Sequence, residues 1–184
     1  MLRRIPVLVW FLVPTFILVG FGVWFLSKNQ TVSQNQVLGE AATVSNPVEG
    51  TVDFAIVGRD HIASGTAGSG YDSNPPSSGP HWPAAANNGV YDKELPDEQL
   101  IHNLEHGHVW ISYKPDTADE VKNKLKEIVE KDSWKVVLEP REQNDSKIAL
   151  VAWGRVLVMD QPDYDKIEAF IKTYRNRGPE STSD

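Results

Sequence analysis

Cysteine is absent from the 184 residues of this chain. Its absence excludes disulfide bonds, thiolate nucleophiles, iron–sulfur clusters and haem attached through thioether bonds. The fold must therefore be held by ordinary packing, and any bound metal must do without thiolate ligands.

Basic residues are also in short supply. The chain has 18 lysines and arginines against 25 aspartates and glutamates, which gives a formal net charge of −7. An acidic chain repels the phosphates of DNA and RNA. We therefore expect no nucleic-acid partner.

Charge of either sign is missing from residues 5–26, which are rich in Val, Leu, Phe and Trp. As a helix they would extend about 33 Å, enough to cross a bilayer. The apolar core of a cleaved signal peptide is usually about 7–15 residues, and no convincing small-residue cleavage site follows the run. Arg3 and Arg4 precede it and only Lys28 closely follows, so the N-terminus is expected in the cytoplasm. We predict a single-pass cell-membrane protein with a cytoplasmic tip and transmembrane anchor over 1–27.

Large apolar side chains are scarce again in residues 28–50, where Ser, Thr, Asn, Gln, Ala and Gly dominate. Such a segment buries too little surface to offset the entropy of ordering, which predicts a flexible tether. The residues from 51 to 180 are numerous enough for one compact extracytoplasmic domain, followed by a short tail over 181–184.

The patterning of the domain predicts an α+β fold, with one sheet and helices packed on it. The expected elements are a strand at 51–57, a long but ordered loop at 61–96, a short helix that begins at about Asp97 and ends just before Gly107, a strand at 108–113, a helix at 117–131 opened by a Thr117/Glu120 capping box, a strand at 134–138, one central strand at 148–159 and a last helix from about Pro162.

Three of the five histidines lie within seven residues, His102, His106 and His108. The first two are spaced by four residues on the short helix, so their imidazoles share one face, one turn apart. Gly107 is the residue expected just past a helix end, and alternation begins after it. His108 therefore leaves the helix and enters the next strand.

The long loop carries His61 and His81, and its prolines stiffen it. If the loop folds back over the short helix, both side chains could meet His102 and His106. Imidazole ligands without a thiolate suit copper, zinc or nickel better than magnesium or calcium. We therefore predict that the four histidines bind a copper or zinc ion, and that Glu105 is no ligand but accepts a hydrogen bond from one imidazole and so orients it.

Two other interpretations stay open. The histidines could be packing residues, with His106 favoured at a helix C-terminus by the helix dipole. Alternatively, His102-x-x-Glu105-His106 matches the signature of inverted zinc peptidases, with Glu105 as the base. The short helix and the lack of a later acidic third ligand argue against an enzyme.

Three further residues receive structural assignments from the sequence. Trp110 and Trp153 are expected in the core or at its rim. Arg155 is expected to pair with a carboxylate of this acidic domain.

Several segments resemble the bacterial family known as domain of unknown function 3105. The likeness extends over about residues 55–180 and is carried by Tyr71-Asp-Ser-Asn-Pro-Pro-Ser-Ser-Gly-Pro-His81, Gly89-Val-Tyr91, Pro96–Gly107, Ala152-Trp-Gly-Arg155 and Tyr174-Arg-Asn-Arg-Gly-Pro-Glu180. It implies an anchored protein with its domain outside the membrane, and no established activity. It also implies that His61, His81, His102, Glu105, His106, Trp153 and Arg155 occupy motif positions, whereas His108 does not.

Overall fold

The structure is a computed structural model that describes residues 44–180 and 182–183. In chain order its elements are β1 (Val52–Asp53), β2 (Gly89–Val90), α1 (Asp97–Glu105), β3 (Val109–Tyr113), α2 (Asp119–Lys131), β4 (Val136–Pro140), β5 (Ile148–Ala152), β6 (Arg155–Met159) and α3 (Tyr164–Tyr174). The predicted α+β domain is confirmed.

The predicted anchor over 1–27 lies outside the described residues, as does most of the predicted tether. Within the part that is described, no helix is long and apolar enough to cross a membrane. The described end of the tether contacts the domain: Val44 and Val48 pack against its core, and the Val48 amide donates to the Tyr174 hydroxyl.

The six strands form one mixed sheet in the order β1-β6-β5-β3-β4-β2. The central strand β3 runs parallel to β4 and antiparallel to β5. In this register Ile111 lies between Leu138 of β4 and Leu150 of β5. The buried centre of the sheet therefore has large apolar side chains on β3, β4 and β5.

Alternation along β3 sends successive side chains to opposite faces of the sheet. Val109 and Ile111 belong to the core on one face, which also holds the apolar stripes of α2 and α3. Trp110 belongs to the core on the other face, with Leu100, Ile101 and Leu104 of α1 and partly buried side chains from the long loop. The sheet thus separates α2 and α3 from α1 and the loop.

The single strand predicted for 148–159 is wrong, because the segment is a hairpin. β5 and β6 pair antiparallel, with Ala152 opposite Arg155. Only Trp153 and Gly154 connect them, and Gly154 has a φ of +69° that favours glycine. Both strands are largely buried, so the apolar run is continuous and hides the reversal of direction.

Three further boundaries differ from the sequence prediction. The first strand contains only Val52 and Asp53 rather than all of 51–57. The Thr117 hydroxyl donates to the Lys147 carbonyl instead of capping α2, whose N-cap is Ala118. Trp134 precedes β4 and its side chain is exposed. The long loop also contains β2, which the sequence did not predict.

The core and pairing assignments are confirmed. Trp110 and Trp153 are buried in the core beneath α1. Arg155 donates through Nε to Asp53 Oδ1 at 3.0 Å.

The long loop is held against the domain by the buried Arg141. Its guanidinium forms a bidentate pair with Asp97, at 2.8 and 2.7 Å, and donates to Asn74 Oδ1 at 2.7 Å. Such a fork fixes both the start of α1 and the middle of the loop. The loop is consequently ordered, as its proline and aromatic content predicts, and His81 within it is fully buried.

A second buried ionisable group is Glu139 on β4. Its two oxygens accept from Trp110 Nε1, at 3.0 Å, and from the Leu95 amide. Burial raises the pKa of Glu139 to about 8, helped by the charges of Asp97 and Glu94 and opposed by the two hydrogen bonds. Its carboxyl is therefore largely protonated at neutral pH.

This raised pKa predicts how stability depends on pH. Above pH 4.5, the ordinary pKa, the unfolded chain loses a proton that the folded protein keeps up to about pH 8. The contribution of Glu139 to the free energy of unfolding is therefore largest below pH 4.5. It decreases by roughly a few kcal/mol as the pH rises from 4.5 to about 8. Urea unfolding of the chain with chelator present should therefore give a free energy that falls from pH 5 to pH 9.

The variant Glu139→Gln cannot ionise, so its unfolding free energy should fall less over the same range. Glu142→Gln removes the same charge from an exposed side chain three residues along the chain and should behave as the unmodified protein. Equal pH slopes for all three proteins would contradict the assignment.

Candidate metal centre

Helix α1 supplies two of the candidate ligands. Every residue from Leu100 to Glu105 is buried, with the leucines and Ile101 in the core below the helix. The helix ends at Glu105 with His106 as its C-cap, and Gly107 follows with a φ of +82°. A Cβ at Gly107 would approach Arg177 N and Gly178 N to 2.9 Å. The glycine stop predicted from the sequence is confirmed, and close packing adds a second reason for it.

The C-terminal segment lies across this helix end. The Glu180 amide donates to the Glu105 carbonyl at 3.0 Å, and a Cβ on Gly178 would lie only 2.1 Å from that carbonyl oxygen. The fully buried Lys135 donates through Nζ to the His106 carbonyl at 2.8 Å. These contacts occupy carbonyls that a helix end leaves without intrahelical partners, and they fix the backbone that carries the site.

The loop supplies the other two candidate ligands side by side. His61 and His81 form a parallel β-bridge. The His81 amide donates to the Asp60 carbonyl at 3.0 Å, and the Ile62 amide donates to the His81 carbonyl at 2.8 Å. The backbone therefore fixes the two imidazoles next to each other, with ring centroids 4.9 Å apart.

The orientation of the His81 ring follows from one hydrogen bond. Its Nδ1 lies 2.8 Å from the Gly79 carbonyl. A carbonyl can only accept, so Nδ1 must carry the proton and donate it. In the neutral ring Nε2 then holds a lone pair and faces Glu105 Oε2 at 3.0 Å, so these two acceptors need a proton or a cation between them. Fixing the tautomer through the outer nitrogen is the usual support for a metal-binding imidazole.

Four side chains converge at this point. The ligand atoms of His61, His81, His102 and Glu105 all lie within 4.8 Å of one another. Glu105 Oε2 is 3.8 Å from His61 Nε2 and 4.0 Å from His102 Nδ1. A tetrahedral ion with bonds of about 2.1 Å separates its ligand atoms by about 3.4 Å. The group thus matches the size of a first-row metal ion with small side-chain adjustments.

The group is buried on one side and open on the other. The side chains of His81, Glu105 and His102 are 0, 3 and 8 % exposed, whereas that of His61 is 50 % exposed. Arg59, 41 % exposed, places Nε 3.9 Å from Glu105 Oε1. Solvent therefore reaches the group past His61 and Arg59.

The structure divides the residues that the sequence grouped together. The long loop folds back over α1, so that His61 and His81 meet His102. Glu105 contributes an oxygen to the same group, whereas the sequence predicts that it only orients an imidazole. His106 lies beside the group: its ring is 4.4 Å from that of His102, and its Nε2 is 3.5 Å from Glu180 Oε2. The i, i+3 spacing from His102 was the sequence signal that could have placed Glu105 in the group.

The arrangement differs from what the peptidase signature requires. In that chemistry His102 and His106 would both bind zinc while Glu105 activated a water molecule. Here Glu105 Oε2 lies among three imidazoles and His106 faces Glu180. His108, which is buried, is not part of the converging group in the described residues. The geometry is that of four converging side chains that could hold a metal ion.

Neither a curated protein nor a solved structure matches the chain. The model of the family described as "Protein of unknown function (DUF3105)" matches residues 63–184. That match includes His81, His102 and Glu105 and begins just after His61. Since it spans well over half of the sequence and agrees with the motif resemblance, the chain belongs to the DUF3105 family.

Proposed function

We propose that the domain binds one transition-metal ion, copper or zinc, through His61, His81, His102 and Glu105. The observation that carries this proposal is the convergence of three imidazoles and one carboxylate within 4.8 Å. Three of the four side chains are buried, and a buried carboxylate needs a positive partner to offset its desolvation. A divalent cation at the centre supplies that partner and uses the lone pair of His81 Nε2.

The ligand chemistry narrows the choice of metal. Imidazole nitrogens suit zinc, copper and nickel, and the cuprous ion prefers sulfur. The chain has no cysteine. Met159, the one methionine in the described part of the chain, packs against the core on the opposite face of the sheet. The site therefore favours zinc or cupric ion over cuprous ion.

A non-catalytic structural or partner-binding module is the alternative function. Its support is the separation of 3.0 Å between His81 Nε2 and Glu105 Oε2, which is a hydrogen bond between the loop and α1 when a proton instead of a metal lies between the two atoms. In that case the histidines contribute to stability alone.

We also propose that the domain is held outside the cell membrane by residues 5–26, with the N-terminus in the cytoplasm and the tether over 28–50. The support is the uncharged run and the arginines that precede it. An extracytoplasmic metal site without a thiol has no ligand to lose by oxidation.

Metal content tests the proposed ligands through two variants on the same helix. His102→Ala removes a ligand of the converging group, whereas His106→Ala removes a histidine one turn away that faces Glu180. After loading the full-length chain with copper or zinc and dialysis, elemental analysis should find about one ion per chain in the unmodified protein and in His106→Ala. His102→Ala should retain a small fraction of that.

Much less than one ion in the unmodified protein, or equal metal in His102→Ala, would favour the structural module. Loss of metal in His106→Ala would restore the four-histidine ligand set that the sequence predicts.

Metal affinity should also depend on pH. An imidazole must be neutral to coordinate, and its ordinary pKa is about 6.5. Competition titrations against a chromogenic chelator should therefore show affinity falling steeply from pH 7.5 to pH 5.5, after correction for protonation of the chelator. A flat profile would contradict coordination by imidazoles.

Membrane topology is tested in intact cells. Protease added to spheroplasts should remove the domain, because residues 51–180 are expected outside the membrane. Lysed spheroplasts and a cytoplasmic marker protein provide the controls. Protection of the domain in intact spheroplasts, with digestion after lysis, would reverse the proposed orientation.

A further inference from the structure

The ligands of the proposed metal centre differ greatly in their exposure to solvent. The side chains of His81, His102 and Glu105 are buried, whereas that of His61 is 50 % exposed. Structural zinc sites are closed by four protein ligands, and catalytic zinc sites keep one coordination position open to solvent. The proposed centre lies between these types, because its fourth ligand is present but can be reached from solvent.

The ring of His61 is also held less firmly than that of His81. His81 Nδ1 donates to the Gly79 carbonyl at 2.8 Å, which fixes the orientation of its ring. A bridge to His81 fixes the backbone of His61, but among the described residues none forms a hydrogen bond with the His61 ring, which only contacts two other rings and approaches Glu105 Oε2 to 3.8 Å. Exposed side chains change rotamer within nanoseconds. The His61 imidazole can therefore leave the group and return while its backbone stays in place.

The other three ligands enclose the centre from behind. Helix α1 carries His102 and Glu105 and packs on the sheet with its apolar face. His81 is fully buried in the long loop. An ion or a ligand from solvent therefore reaches these three side chains on the side of His61.

We infer that the coordination position of His61 is an exchange position, at which an imidazole from solvent replaces His61 and through which the centre receives and releases its ion. The incoming ligand is free histidine or a histidine side chain of a partner chain. This inference rests on the proposed metal binding and adds to it the class of ligand with which the centre exchanges metal.

The exchange is a substitution of one ligand by another of the same kind. The bond from the metal to the new nitrogen forms as the bond to His61 breaks, and the metal keeps its oxidation state and its set of three nitrogens and one oxygen. Zinc and cupric ion both bind imidazole well. The space that the His61 ring leaves has the shape of the ring that enters.

Rescue by free imidazole tests the exchange position. The full-length chain with His61→Ala is loaded with cupric ion, and its copper affinity and electron paramagnetic resonance spectrum are measured with and without imidazole. Loss of the ligand should weaken copper binding by about tenfold or more, since loss of a group that merely orients a ligand already costs about 10–100-fold. Imidazole should restore most of the affinity, after correction for imidazole complexes of free copper. Imidazole with labelled nitrogen should show that the added ring binds the metal.

The matched control is His81→Ala, which removes the same side chain from a fully buried position. Imidazole should restore little of its copper binding in the time that suffices for His61→Ala, because entry there requires the loop to open.

A blocked glycine–histidine–glycine tripeptide distinguishes the two sources of the incoming ligand. Rescue of His61→Ala by both the tripeptide and imidazole supports a histidine side chain of a partner chain. Rescue by imidazole alone supports free histidine.

Exchange in the unmodified protein provides a second measurement that needs no variant. Copper-loaded protein is mixed with excess histidine, which chelates the ion. Because histidine attacks at the position of His61, the rate of copper removal should rise in proportion to the histidine concentration. A rate that does not depend on this concentration would show that the protein must open first, and it would overturn the inference.

The inference is also overturned if His61→Ala binds copper as tightly as the unmodified protein, if imidazole does not rescue it, or if imidazole rescues His81→Ala equally fast. Elemental analysis separates these outcomes from failure of the proposed function. Unmodified protein that retains no copper contradicts both proposals, whereas loaded protein that fails the rescue test contradicts only this one.

Discussion

The structure of the site depends on one buried carboxylate, that of Glu105. It is 3 % exposed, and its Oε2 lies 3.0 Å from His81 of the loop and within 4.0 Å of two further imidazoles. Burial of a carboxylate without charged or hydrogen-bonding partners costs free energy, so the folded protein must keep such partners next to it. The contact with His81 also joins the long loop to α1. The geometry of the site and the ordering of the loop therefore depend on the same interaction.

The rest of the domain holds the two sides of that contact. Below α1, Leu100 and Leu104 pack on the sheet beside Trp110, and at its end Lys135 and the C-terminal segment bind its last carbonyls. The loop is held by Arg141 and by the bridge between His61 and His81. A ligand set supported from both sides loses little freedom on binding a metal, which favours affinity.

Local features of the site were predictable, and features that depend on distant contacts were not. The end of α1 before Gly107 follows from the ability of glycine to adopt a positive φ. Strand β3 follows from the period of two in its side chains. The hairpin at Gly154 is hidden because two buried strands and one long strand give the same apolar run. Glu105 and His106 both lie within one turn of His102, and the side chain that faces His106 is that of Glu180, 74 residues further along the chain. Spacing alone could not choose between them.

Anomalous diffraction from a crystal of the copper- or zinc-loaded protein tests the central claim most directly. Data collected on either side of the metal's absorption edge locate the ion without reference to any chemical assumption. One peak is expected among His61, His81, His102 and Glu105, at about 2.0–2.2 Å from three nitrogens and one oxygen. A peak between His106 and Glu180, or no ordered peak in protein shown to contain metal, would contradict it.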